Sequence, residues 1–137
     1  MTKMLKDMTR TLFEKIIDRE IPAQIRYEDA DFIAFDDISP RAPIHVLLVP
    51  KKPYATLEEV PESESAFYGQ LIQTARKVAQ QLGIADNYKL FMNVGQRVQS
   101  VAHLHLHIMG GWGKEKTLQD LDRSEAALVN DSGTSRE

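Results

Sequence analysis

Ser100-Val-Ala-His103-Leu-His105-Leu-His107-Ile-Met-Gly110-Gly111 places three of the chain's four histidines at alternate positions. Side chains of a strand alternate between its two faces. A strand over Val101–Met109 would therefore present His103, His105 and His107 on one face and Leu104, Leu106 and Ile108 on the other. The leucine face suits burial against a helix. The imidazole face needs polar partners, and three adjacent cations would repel one another, so the row is expected to resist full protonation. Near neutral pH such groups are poised between acid, base, ligand and nucleophile.

The flanking sequence supplies the rest of an α+β domain. Thr11-Leu-Phe-Glu14 is a capping box, followed by Leu12, Phe13, Ile16 and Ile17 on one helical face, with Pro22 as the stop. Ala23–Tyr27 and Asp31–Phe35 are expected as short strands joined at Glu28-Asp-Ala30. Ile38-Ser-Pro-Arg-Ala-Pro43 is a loop fixed by two prolines. His45–Val49 is a continuous apolar run typical of a strand buried on both faces, and Pro50 ends it. The longest helix is expected from about Pro61 to Leu82, on Phe67, Leu71, Ile72, Ala75, Val78, Ala79 and Leu82, with Gly83 just past its end. Tyr88–Val94 is a further strand. The sum is one antiparallel sheet of about five strands with two helices.

Composition bounds the function. The chain has 137 residues, 42% hydrophobic and 27% charged, which fits one globular domain with a real core. Its 17 basic against 20 acidic residues give a net charge of −3. With no basic cluster beyond Lys51–Lys52, no nucleic-acid partner is expected. There is no cysteine, which removes disulfides, thiolate metal sites and cysteine nucleophiles and fits a reducing compartment. No signal peptide or membrane span is readable, so a soluble, cytoplasmic protein with no membrane partner is expected.

On spacing alone the histidine row has three readings. It can be a solvated surface row. It can be a zinc site, with His45 brought in from another strand and Asp36 or Asp37 as a carboxylate. Or it can hold an imidazole nucleophile for a phosphoryl or acyl centre, with further imidazoles as proton carriers.

The stretch Ser100–Gly111, with Gln99 before it, resembles the signature of the histidine triad (HIT) family in its Hint branch. Thr11–Ile17 with Ile21-Pro22-Ala23 resembles the family's opening, and Ala34–Lys52 its middle. The likeness runs in order over residues 11–112. It implies a HIT domain at 11–112, with an N-terminal extension at 1–10 left outside it; the tail at 113–137 matches no family pattern, and its own residues predict a partly disordered segment in which Leu118, Leu121 and Leu128 support a short helix. The likeness also implies a homodimer whose two sheets join into one.

The resemblance assigns roles. His105 would attack the α-phosphorus of a purine nucleoside 5′-phosphoramidate, giving a nucleotidyl-histidine that water hydrolyses. Its second nitrogen must hold a proton against a fixed acceptor, for which a strand carbonyl serves. His107 and Ser100 are implied in protonating the leaving amine, and His103 and His45 in orienting the row. Asp37 matches the acid that binds the ribose hydroxyls, although an Asp here also starts a turn. Leu12, Phe13, Ile16, Phe35 and Ile38 match the apolar positions around the base. Asn93 and Gln99 match polar positions near the phosphate. No metal and no cofactor is implied. Dinucleoside polyphosphate hydrolysis and a nucleotide-binding interaction module are the alternatives. Three features depart from the family: a short loop at Gly95–Val98, Asp36 where many members have His or another residue, and the tail beyond Trp112.

Overall fold

The computed structural model describes residues 10–113; the extension before Arg10 and the tail helix expected near Leu118 lie outside them. Five strands, β1 (Ile25–Glu28), β2 (Phe32–Asp36), β3 (Ile44–Pro50), β4 (Tyr88–Phe91) and β5 (Leu106–Gly110), form one sheet. Its order is β1-β2-β3-β5-β4 and every pairing is antiparallel. Helix α1 spans Leu12–Ile17 and helix α2 spans Ala66–Gln81. None of the described helices is long and apolar enough to cross a membrane.

The two-residue period sorts the core into two layers. Leu104, Leu106 and Ile108 join Ala34, Val46 and Leu48 beneath Phe67, Leu71, Ala75 and Val78 of α2. On the opposite face, Ile33, Phe35, Leu47 and Val49 pack against Phe13 and Ile16 of α1. The central strands are therefore buried on both sides, which is why β3 is apolar without alternation. The capping box is formed: the Thr11 hydroxyl accepts the Glu14 N–H, and the Glu14 carboxylate accepts the Thr11 N–H.

The sequence misplaced several boundaries. Helix α1 ends at Ile17, well before Pro22, because Asp18 caps it and Arg19 turns left-handed at φ 63°. Helix α2 begins at Ala66, since Pro61 is extended and Glu62–Glu64 form a tight 3-10 turn instead. Its C-terminal end is as expected, with Gly83 left-handed at φ 75°. Strand β4 stops at Phe91, short of Val94.

The largest shift concerns the histidine strand, which begins at Leu106 and not at Val101. The ladder pairs Leu48 with Leu106 and Leu47 with His107. Continued by two residues, that register sets Leu104 opposite Pro50, which has no N–H to give. Leu104 instead donates its N–H to the Tyr54 carbonyl at 2.8 Å. His103 and His105 thus stand in a lead-in segment outside the ladder, although their alternation with Leu104 and Leu106 persists.

Ile108 is fully buried between Val46 and Leu90 on the α2 side of the sheet. Ile108→Ala should lower unfolding free energy by about 2–5 kcal/mol, because the cavity cannot collapse between paired strands. Urea denaturation would show this as a lower midpoint at unchanged slope. A loss below about 1 kcal/mol would contradict so tightly packed a site.

Candidate active site

The four histidines converge on one face of the sheet, and all are buried: His103 at 0%, His105 and His45 at 3%, and His107 at 6% exposure. Burial without charge compensation favours neutral imidazoles. Desolvation lowers the pKa of all four. His107 is pushed furthest, to about 4, by burial and then by His105, His45 and Arg41 nearby. Asp37 opposes the shift at His45, at His105 and at His107.

In a neutral imidazole one nitrogen donates and the other accepts, so each fixed partner assigns a tautomer. The His105 Nδ1 lies 2.7 Å from the His103 carbonyl oxygen, which can only accept. His105 therefore carries its proton on Nδ1, and its Nε2 presents a lone pair. The His103 Nε2–H donates to the Pro50 carbonyl at 2.8 Å, leaving its Nδ1 to accept the Thr11 hydroxyl proton at 3.1 Å. The Arg41 backbone N–H donates to His45 Nδ1 at 3.1 Å, so the His45 Nε2–H donates to His107 Nδ1 at 2.9 Å. The remaining proton of His107 sits on Nε2. Among the described residues the row ends with one free lone pair, on His105 Nε2, beside one free N–H, on His107 Nε2.

Aromatic contacts fix the rings. Phe13 meets His105 edge-on with centroids 5.0 Å apart, and it also contacts Phe35 at 5.3 Å. Phe91 stacks flat on His107 at 4.6 Å with an interplanar angle of 4°. The centroids of His105 and His107 are 5.2 Å apart.

Most of the residues singled out by sequence meet here. Phe13, Ile16 and Phe35 are buried in one cluster, which reaches the histidines through Phe13. Asp37 holds one carboxylate oxygen on the Ser39 N–H, as a turn residue does, and the other 3.5 Å from His45 Nε2. It therefore serves the turn and faces the site at once. Leu12 and Ile38 are exposed, at 41% and 89%. Ser100 is exposed and Asn93 half-buried, without a hydrogen-bond partner among the described residues. Gln99 is committed to the loop: its amide donates to the Ala55 and Val101 carbonyls and its oxygen accepts the Gly95 N–H. It is a latch, with no free donor for a phosphate.

Sequence reasoning missed Thr11 as a partner of His103, the Pro50 carbonyl, the Arg41 amide and Phe91. Thr11 was legible only as a cap, while Phe91 becomes visible once its pairing with His107 is known. One group among the described residues has metal-holding geometry: ligand atoms of Asp37, His45 and His107 lie within 4.8 Å of one another. The His45 and His107 rings of that group already share a proton between Nε2 and Nδ1.

A HIT domain matches residues 18–114 of the chain. The chain belongs to the HIT family. It is 45% identical over 103 residues to the purine nucleoside phosphoramidase of Escherichia coli, covering 74% of this chain and 87% of that one. An uncharacterized HIT-like protein of Synechocystis is 52% identical over 102 residues, covering 74% and 90%. Among solved structures, a HIT family hydrolase from Clostridium thermocellum superposes with a TM-score of 0.72 at 42% identity, over 80% of this chain and 97% of that one. One from Legionella pneumophila gives 0.70 at 40%, over 76% and 98%. These relatives place the chain with the Hint branch of the HIT family.

The buried neutral histidines have a pH consequence. In the unfolded chain His107 binds its proton near 6.5, but in the fold only near 4. Between those values the unfolded state holds more protons, so this contribution is fully present above about 6.5 and is lost as pH falls to about 4. The melting temperature should drop from pH 7 to pH 4, and His107→Gln should make that drop shallower. Equal slopes in both proteins would show that His107 is not buried neutral.

Proposed function

We propose that this HIT family hydrolase cleaves purine nucleoside 5′-phosphoramidates through a nucleotidyl-histidine on His105. The observation that carries the reading is the Nδ1–H bond to the His103 carbonyl, which frees Nε2 as a nucleophile. The name of the Escherichia coli relative supports the substrate class.

In the first step the His105 Nε2 lone pair forms a bond to the α-phosphorus and the P–N bond breaks. The leaving nitrogen takes one proton and departs as the amine. In the second step water adds to phosphorus, the P–Nε2 bond breaks, one proton returns to solvent and the nucleoside monophosphate leaves. Because His107 is neutral in the free protein, its Nε2–H is a hydrogen-bond donor to the phosphoryl group and not a stored proton. An anionic phosphoryl group beside it favours protonation at the moment of reaction, drawing the proton from solvent. The exposed hydroxyl of Ser100 is a relay for that proton. Growing negative charge on the phosphoryl oxygens is met by His107 from one side. Phe13 and Phe35 border the site on the α1 side, where the base would lie, and the site-facing oxygen of Asp37 is available to ribose hydroxyls.

The reaction requires no metal. His105→Asn should reduce turnover of an adenosine phosphoramidate by a factor on the order of 10⁴ or more, while AMP still binds. Wild-type turnover should persist in EDTA. A variant retaining a tenth of the rate, or an activity abolished by chelation and restored by zinc, would exclude this mechanism.

The active species in this proposal is a homodimer. Strand β4 is an edge of the sheet, and Tyr68 and Ile72 are large apolar side chains exposed on α2. A two-fold contact uses the same surface twice, so one such edge suffices. Light scattering at micromolar concentration should give twice the chain mass; the monomer mass would count against it.

A further inference from the structure

The two-residue period of β4 divides its side chains between the faces of the sheet. Tyr88 and Leu90 pack in the α2 layer with Leu106 and Ile108. Phe91 stands opposite His107 in the ladder, on the histidine face. Its ring covers one face of the His107 imidazole, with centroids 4.6 Å apart and planes 4° from parallel. The neighbouring imidazoles meet His107 at 5.2 Å and are tilted, His45 by 39° and His105 by 55°. Among the described residues Phe91 is thus the coplanar contact of His107. It is made within one chain, so a second copy that bonds to the outer backbone edge of β4 leaves it in place.

A stacked ring covers a face and leaves the edges open. The Nδ1 edge of His107 accepts the His45 N–H, and the Nε2–H stays available in the ring plane. Phe91 therefore fixes the plane in which that N–H donates without occupying the donor. Charge gives the contact a second effect. His105, His45 and Arg41 oppose a positive charge on His107, and Asp37 favours one. Lys89, on the same face of β4, is turned to the Trp112 ring. The face of a phenyl ring carries the negative part of its quadrupole, so a cation stacked on it is stabilised.

We propose that Phe91 is a positioning residue for the reaction: its ring face holds the plane of His107 and stabilises the imidazolium that forms as the phosphoryl group arrives. This rests on the phosphoramidase reading and deepens it. The added proton comes from solvent and enters at Nδ1, since Nε2 already carries one. The His45 Nε2–H, which faces Nδ1, then turns to the Asp37 carboxylate 3.5 Å away. When Nε2 gives its proton to the leaving amine, His107 is neutral again.

The test replaces Phe91 in the full-length chain with 4-fluorophenylalanine and with 3,4,5-trifluorophenylalanine. Both keep nearly the same shape while draining negative charge from the ring face. Turnover of an adenosine 5′-phosphoramidate at pH 7 should fall in that order, with kcat down roughly threefold at the trifluoro ring and KM unchanged. The pH midpoint of the His107 ring resonances, followed by NMR with saturating AMP, should fall in the same order by about 0.5 on the pH scale, the same threefold. Phe91→Leu, which keeps the bulk, should match the trifluoro ring. Turnover with a flat kcat and a flat midpoint across the series would overturn the proposal and leave the phosphoramidase reading standing. Wild-type kcat in Phe91→Leu would do the same. A fall in kcat accompanied by loss of the dimer mass in light scattering would place the effect at the β4 edge and also overturn it. No turnover, with the midpoint still falling in the AMP complex, would remove the phosphoramidase reading and keep the contact. No turnover with a flat midpoint, or no binding of AMP, would overturn both.

Discussion

The 2.7 Å contact between His105 Nδ1 and the His103 carbonyl decides the chemistry of this fold. A carbonyl oxygen has no proton to offer, so the imidazole must supply one and keep the opposite nitrogen bare. The bond joins residues two apart in sequence. It is a local contact, in which the ring of one residue reaches back to the carbonyl two positions before it, ahead of the strand. Everything else holds that geometry: Leu104 and Leu106 anchor the segment in the α2 layer, and Phe13 fixes the ring from the other side.

Burial and electrostatics work together here. Exposed, the four imidazoles would take up protons near neutral pH and lose their lone pairs. Buried, they pay for desolvation only if charged, and each finds a neutral partner: a carbonyl, a hydroxyl, a backbone amide or a second imidazole. Asp37 supplies a negative charge close to the row, and Arg41 a positive one.

The period of two along His103–His107 and the capping box at Thr11 were legible because they are local patterns with a direct physical meaning. The two-sided burial of β3 was legible for the same reason. The start of β5 was not, because it depends on Pro50, more than 50 residues away in sequence, arriving opposite Leu104 without an N–H. The Gln99 latch was hidden too: its partners lie in segments that only the fold brings together. The base-side positions divide the same way. Phe13 and Phe35 are buried in the core beside α1, while Ile38 is exposed in the turn that Asp37 starts.

Thr11 connects two events usually treated separately. Its oxygen accepts the Glu14 N–H that begins α1, and its proton goes to His103. A hydroxyl has a single proton, so docking of the first helix and the tautomer of the first histidine are one choice. Helix α1 is thus a clasp: with this turn undone, His103 loses the hydroxyl that donates to its Nδ1. Alterations in the first turn of α1 therefore reach the histidine row by two routes, the Thr11 oxygen and the Phe13 ring, which touches both His103 and His105.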